Sequence, residues 1–237
     1  MNGSNGDTNA AKGGLPAPHG IRSAYDRSLE EIKEGVLRMG GLVEEQIRTA
    51  IAALNSRDTA AAQRVIESDR AINELQRSAT QLIAEAIAMQ GPVARDLRYL
   101  LTLDHVAYEL ERMGDHASSV AKQARRIAPL PPIEHRDRLS ELGVQVADLV
   151  RGIIRALVDA DDVAARKVAS LDDEVDRSYR SFFDETLKQM RDDSAKVDAG
   201  TAMLFAAHYL ERIGDRVTNI AEDIVFLSSG EVEDLNP

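Results

Sequence analysis

The sequence has no cysteine among its 237 residues, which excludes disulfides and thiolate-held metal. Tryptophan is absent and aromatic residues are only 4% of the chain, so any core must be built from aliphatic side chains. Basic charge is short: 29 Lys and Arg face 40 Asp and Glu, a formal net charge of −11. That argues against a general nucleic-acid binder and favours cations or basic protein surfaces as partners. No apolar run approaches the roughly twenty residues a membrane-spanning helix needs, so contact with a membrane is expected only through partners. The first twenty residues, "MNGSNGDTNAAKGGLPAPHG", lack the apolar run of a signal peptide and are Gly- and Asn-rich, so a disordered tail over 1–20 and a cytoplasmic location are expected. No Gly-rich phosphate loop of the Walker type occurs, which argues against a nucleotide hydrolase, and no nucleophile triad is evident.

What is present is helical periodicity. Leu29, Ile32, Val36, Met39 and Val43 recur at three- and four-residue steps and the pattern continues through Ile47 and Ile51 to Leu54, as one face of a helix requires. Gly40 and Gly41 interrupt it and predict a kink or a close helix contact. Asp58 is placed to cap a second helix over 59–89. "QGP" at 90–92 ends that helix, a third spans 93–127, and "PLPP" at 129–132 is the strongest break in the chain. The plan then repeats, with helices over 134–158 and 163–190, Asp161 as the second cap, and a last helix ending near Leu227. A polar tail follows, from Ser228 to the end of the chain.

The repetition can be checked by register. Asp58 and Asp161 are 103 residues apart, and at that offset Ala61, Ala62, Val65 and Asp69 meet Ala164, Ala165, Val168 and Asp172. The phrases "LERMGD", Leu110–Asp115, and "LERIGD", Leu210–Asp215, match at an offset of 100. An all-α fold of two tandem, similar three-helix bundles follows, six long antiparallel helices in all. The division expected is 21–129 for the first bundle and 130–229 for the second, with a C-terminal tail over 230–237.

Each phrase places a Glu and an Asp four residues apart, a like-charge pair that costs helix stability unless something positive lies between. On a helical wheel Val106, Leu110, Met113, Ala117 and Val120 form a core stripe, whereas Asp104, Glu111 and Asp115 lie within about 20° of each other on the other side. Glu211 and Asp215 repeat this, and Asn219 and Glu222 continue their face. The preceding helix of each half also carries oxygen donors four apart: Asp69 with Asn73, and Asp172 with Asp176. If the neighbouring helices are antiparallel, these pairs converge. An all-oxygen cluster of this kind suits a hard cation such as Mg²⁺, Mn²⁺, Ca²⁺ or iron. The competing reading is a solvated acidic face in which Arg112 and Arg212 form ordinary ion pairs of little worth. Gly114 and Gly214, mid-helix and costly, imply close helix approach or room for a bound cluster. His208, three residues before Glu211, is a further candidate ligand. Arg95 and Arg98 either pair with Asp96 or offer a basic contact to an acidic partner.

"QGPVARDLR" at 90–98, "LERMGDHASSVAK" and "LERIGDRVTNIAE", together with the six-helix duplication, make the chain resemble the PhoU family, the phosphate-transport accessory and regulatory proteins of bacteria. The resemblance extends from Ser23 to Leu227. It implies multinuclear metal clusters on the bundle surface, held by Asp69, Asn73, Glu111 and Asp115 in one half and by Asp172, Asp176, Glu211 and Asp215 in the other. The metal implied is iron, zinc, manganese or magnesium. Asn73 departs from the family's carboxylate pattern and makes the first-half site less anionic. The resemblance further implies a homodimeric, non-enzymatic adaptor that contacts a phosphate-sensing histidine kinase and the phosphate importer ATPase, and so represses the phosphate-starvation response. Two other classes stand against it. A carboxylate-bridged di-iron enzyme usually uses Glu-x-x-His on inward-facing helices, and no Glu-x-x-His occurs. A metal-free structural bundle is the second.

Overall fold

The structure is a computed structural model and describes residues 19–134 and 136–235. Seven helices follow one another: α1 (His19–Ser56), α2 (Thr59–Gln90), α3 (Arg95–Ile127), α4 (Arg136–Asp159), α5 (Asp162–Ser170), α6 (Asp172–Asp192) and α7 (Val197–Ser229). No strand occurs among the described residues. The six-helix plan holds, with two tandem helical halves; the expected fifth helix is divided at Leu171. There the backbone tightens to three-residue spacing, Leu171 N–H donating to Val168 O and Glu174 N–H to Leu171 O. Asp172, Asp173 and Glu174 form the first turn of α6, where acidic side chains complement the positive end of the helix dipole. The apolar periodicity runs across this one-residue break, which is why the sequence reads as one helix. The tail expected over 1–20 lies outside the described residues except for His19 and Gly20, which already belong to α1.

The sequence explains the helix ends. Asp58 accepts hydrogen bonds from the backbone N–H groups of Ala60 and Ala61, and Asp161 from that of Ala164, the N-caps that the spacing predicts. The residue before each cap, Arg57 and Ala160, has positive φ, 57° and 48°. In both turns the N–H of the Asp returns to a carbonyl five residues back, Ala53 and Ala156. The two halves therefore use the same chain reversal, and neither places glycine at the left-handed position.

The core is aliphatic apart from the fully buried Phe182 of α6. Ile32, Val36, Met39, Val43, Ile47 and Leu54 of α1 are fully buried, as are Val106, Leu110, Met113, Ala117 and Val120 of α3. The two halves pack through a pseudo-twofold arrangement with two layers. In one, α1 lies against α4. A Cβ on Gly40 would come within 2.7 Å of the Ile154 side chain, and one on Gly143 would overlap Ile51. Gly40 and Gly143, like Ile51 and Ile154, are separated by 103 residues, so the two contacts are copies of each other. Gly41 meets nothing, and α1 continues unbroken through both glycines. Arg48 and Arg151, matched at the same offset, reinforce the layer by binding Asp148 (2.6 Å) and Glu44 (2.5 Å) across it.

In the other layer α3 lies against α7, the most extensive helix pairing in the fold. Here the symmetry is broken by chemistry. Glu109, 2% exposed, faces Arg216 at 3.3 Å, and His105 binds Asp223 at 2.6 Å. The positions matching Glu109 and Arg216 are Tyr209 and His116, whose rings stack with centroids 6.0 Å apart. Burial and the nearby Arg216 and Arg212 push His116 down to about 4, so it is neutral near pH 7.

The C-terminal segment after α7 is tied to the fold. Arg166 holds Glu233 through both guanidinium Nη atoms (2.5 and 2.8 Å), Leu235 N–H donates to Glu222 at 3.0 Å, and the Leu235 side chain packs against the core. Glu222 is thereby committed to this strap.

Candidate functional site

Two acidic grooves lie on the fold, one between α2 and α3 and one between α6 and α7. In each, the Asp of the earlier helix is pressed against the glycine of the later phrase. A Cβ on Gly214 would overlap Asp172 Oδ1, and one on Gly114 would lie 3.2 Å from Asp69 Oδ1. The missing side chain is thus what lets the two acidic helices close on each other, and both glycines are accounted for in this way.

In the second groove Asp172 is 5% exposed. Thr218 Oγ1 donates to its Oδ2 at 3.4 Å, while Oδ1 has no partner. Asp172, the first residue of α6, thus lies in the core. Asp176, one turn on, accepts from Arg180 at 2.7 Å. Asp215 lies 3.4 Å from Arg212, and Glu211 Oε2 lies 3.4 Å from His208 Nδ1 without a hydrogen bond. Burial, followed by Asp215 and Asp176, pushes Glu211 up to about 7. Burial, followed by the same two neighbours, pushes Asp172 up to about 6. Asp215 is raised by burial, with Arg212 opposing and Asp176 adding to the rise. Four carboxyl groups thus meet in partial burial with too little positive charge to balance them.

The first groove is better balanced. Asn73 Nδ2 donates to Asp69 Oδ2 at 3.1 Å, and Arg112 spans both members of the phrase, 2.9 Å from Glu111 and 3.3 Å from Asp115, although Glu111 Oε2, like Glu211 Oε2, is buried without a hydrogen bond. The Arg112 guanidinium also lies 5.4 Å from the Tyr108 ring centroid. Arg212 has no matching second carboxylate. Burial raises Asp69 and Glu111, and in both Asp115 adds to the rise. Asp104 lies apart, accepting from Thr80 Oγ1 at 2.7 Å.

The eight residues singled out in the sequence therefore fall into two sets of four, one per groove. In their present orientations no three His, Asp or Glu side chains among the described residues surround a common point. The donor set nevertheless fits a hard cation: Asp172 Oδ1 and Glu211 Oε2 are buried oxygens without hydrogen-bond donors, a state that a bound cation relieves. The sequence reading missed Thr218 and Gln46. Thr218 lies one helical turn beyond Gly214, a spacing that was available. Gln46 sits on α1, outside every acidic phrase, with Oε1 buried and unpartnered. At the start of α3, Arg95, Asp96 and Arg98 line a cavity of about 680 Å³ with Lys33, Glu30 and Tyr99. No Arg–Asp96 ion pair forms there among the described residues, and Arg98 instead packs on Gly230.

Comparison with known proteins gives a consistent picture. The family model described as the PhoU domain matches twice, over residues 36–124 and 139–224. A phosphate-specific transport system accessory protein PhoU homolog of Clostridium acetobutylicum is 37% identical over 91% of this chain and 99% of its own length. A protein of the same description from Xylella fastidiosa is 35% identical over 90% of this chain and 88% of its own. The crystal structure of PhoU from Pseudomonas aeruginosa superposes with a TM-score of 0.84 at 33% identity, covering 87% of this chain and all of that one. That of the phosphate transport system regulatory protein PhoU from Streptococcus pneumoniae gives 0.83 at 30% identity, covering 89% and 99%. Among the described residues no helix is long and apolar enough to cross a membrane.

Proposed function

The chain belongs to the PhoU family, and from that premise we propose that it is a non-enzymatic, metal-binding adaptor of phosphate homeostasis. In this reading it works in the cytoplasm as a homodimer. It contacts the phosphate-sensing histidine kinase and the importer ATPase, and represses the phosphate-starvation response. Its relatives' description as accessory proteins of a phosphate transport system supports the adaptor role. The observation that carries the metal reading is the second groove, where Asp172, 5% exposed, presents an oxygen without a donor beside Glu211.

Asp172, Asp176, Glu211 and Asp215 would hold the metal in this groove, and Asp69, Asn73, Glu111 and Asp115 in the other. Iron, zinc, manganese and magnesium all accept such oxygen donors. The bound ion supplies positive charge that lets the carboxylates ionise together. The remaining chemistry belongs to the chain: Gly114 and Gly214 admit the carboxylates between helices, Thr218 orients Asp172, and the arginines set the resting charge. An adaptor alters its partners only through differential affinity for their states, so this reading requires the metal-bound and metal-free protein to differ in that affinity.

The test is elemental analysis of protein purified without chelator, followed by binding to the isolated kinase and ATPase with and without metal. Stoichiometric metal that drops by half in the Glu211→Ala/Asp215→Ala variant, together with metal-dependent partner binding, is expected. Metal-free protein under varied supply, with partner binding unchanged in the variant, overturns the reading.

A further inference from the structure

Gln46 belongs to no acidic phrase, yet it is 4% exposed and its Oε1 has no hydrogen-bond partner. Its orientation is fixed by its neighbours. Ser68 Oγ donates its proton to Val65 O at 2.9 Å, so toward Gln46 it can only accept. The Gln46 Nε2 group donates to it at 2.9 Å, which turns Oε1 the other way. There it lies 3.5 Å from the point a Cβ on Gly114 would occupy, and Asp69 Oδ1 lies 3.2 Å from the same point. Two acceptor oxygens, one on α1 and one on α2, thus border the space over the α3 glycine together with the Ile72 methyl group at 3.1 Å, and Gln46 Oε1 has no donor there. Facing acceptors repel, and removing one from water without a partner is unfavourable.

We propose that Gln46 is a further ligand of the first-half cluster, its amide oxygen joining Asp69, Glu111 and Asp115 around a hard divalent cation. The inference rests on the metal reading given above and extends it by one residue and one helix. Amide carbonyls are ordinary ligands for such ions. The matching residue in α4, at the 103-residue offset that relates Gly40 to Gly143, is the aliphatic Leu149, and the second groove has a carboxylate, Asp176, where the first has Asn73. The two halves therefore carry different donor sets: an amide oxygen from the first helix in one, an additional carboxylate from the middle helix in the other. The first-half site then draws on all three helices of its bundle, so metal there ties α1 to α2 and α3.

Mn²⁺ titration followed by electron paramagnetic resonance and calorimetry, on full-length protein, tests this. In the Glu211→Ala/Asp215→Ala background only first-half binding is read. There Gln46→Leu is expected to weaken Mn²⁺ about tenfold or more, and Gln46→Glu to tighten it. Unchanged Mn²⁺ affinity in both Gln46 variants overturns the inference while leaving the metal reading standing. So does a background protein that binds no Mn²⁺ when the unmutated chain binds one equivalent. If the unmutated chain binds neither Mn²⁺ nor the iron, zinc or magnesium named above, the metal reading itself fails. Circular dichroism melts establish that each variant is folded, and the Gln46→Glu arm remains decisive if Gln46→Leu is not.

Discussion

Asp172 Oδ1 occupies the space that a Cβ on Gly214 would fill. The Gly214→Ala variant must therefore displace a buried carboxylate at the head of α6. Overpacking of this kind costs about 1–3 kcal/mol, offset by roughly 0.5–1 kcal/mol from alanine's better helix propensity. At Gly114 the nearest atoms stand at 3.1 Å (Ile72 Cδ1) and 3.2 Å (Asp69 Oδ1), so Gly114→Ala costs less. Urea unfolding of the two metal-free variants should rank Gly214→Ala as the more destabilised; the opposite order contradicts the geometry.

The raised carboxyls carry a pH signature. In the unfolded chain Asp and Glu titrate near 3.9 and 4.3, whereas in the fold Asp172 is pushed up to about 6 and Glu211 to about 7. The folded state binds these protons more tightly, so their contribution to stability declines as pH rises from about 4 through 7 and is least favourable above that. His105, raised by Asp223, adds the same trend, while His116, lowered by burial, opposes it. The difference between Asp172→Asn/Glu211→Gln and the unmutated protein removes both histidines from the comparison. The metal-free variant should gain on the order of 2 kcal/mol at pH 8 and much less at pH 4.5. An equal gain at both values rejects the assignment.

The α1–α4 layer predicts coupling. Gly40→Ala drives a methyl group into Ile154 and should cost about 1–3 kcal/mol. Ile154→Ala opens that space, so the double variant should be less destabilised than the two single changes together, by about 0.5–3 kcal/mol. The copy of this contact, Gly143 with Ile51, should behave alike. Additivity in both double-mutant cycles would mean that the helices are not in contact there.

The shared chain reversal offers a gain. Ala160 sits at φ 48°, a region that costs a non-glycine residue about 1–2 kcal/mol. Ala160→Gly should raise the thermal midpoint, with a net benefit of up to about 1 kcal/mol after the larger unfolded-state entropy of glycine. A fall in the midpoint would show that the Ala160 methyl group contributes packing that outweighs the strain.

Much of this fold was legible because its signals are local or periodic. Asp58 and Asp161 sit at the starts of apolar repeats, and the stripe through Val106, Leu110 and Met113 follows directly from a 3.6-residue period. The pairing of Asp69 with the "LERMGD" helix was legible only on the condition that the neighbouring helices are antiparallel. What escaped were features decided by one residue or by tertiary contact. Leu171 interrupts a helix without interrupting its hydrophobic pattern, so no wheel registers the break before Asp172. Gln46 is a polar residue one position before Ile47 of the core stripe, and its role depends on Ser68 and Gly114, which are distant in sequence. The Gly40–Ile154 contact was within reach, since the 103-residue register that aligns Asp58 with Asp161 also aligns Gly40 with Gly143 and Ile51 with Ile154.

That reciprocal contact bears on what each half is free to become. Two identical subunits joined by such an axis must carry identical surfaces, and a change that helps one site is imposed on the other. Joining the halves through the 128–135 connection removes that constraint. Gln46 opposite Leu149, Asn73 opposite Asp176, and Glu109–Arg216 opposite Tyr209–His116 are differences no homodimer could hold. A single covalent link thus lets one molecule present two unlike acidic grooves on a common scaffold.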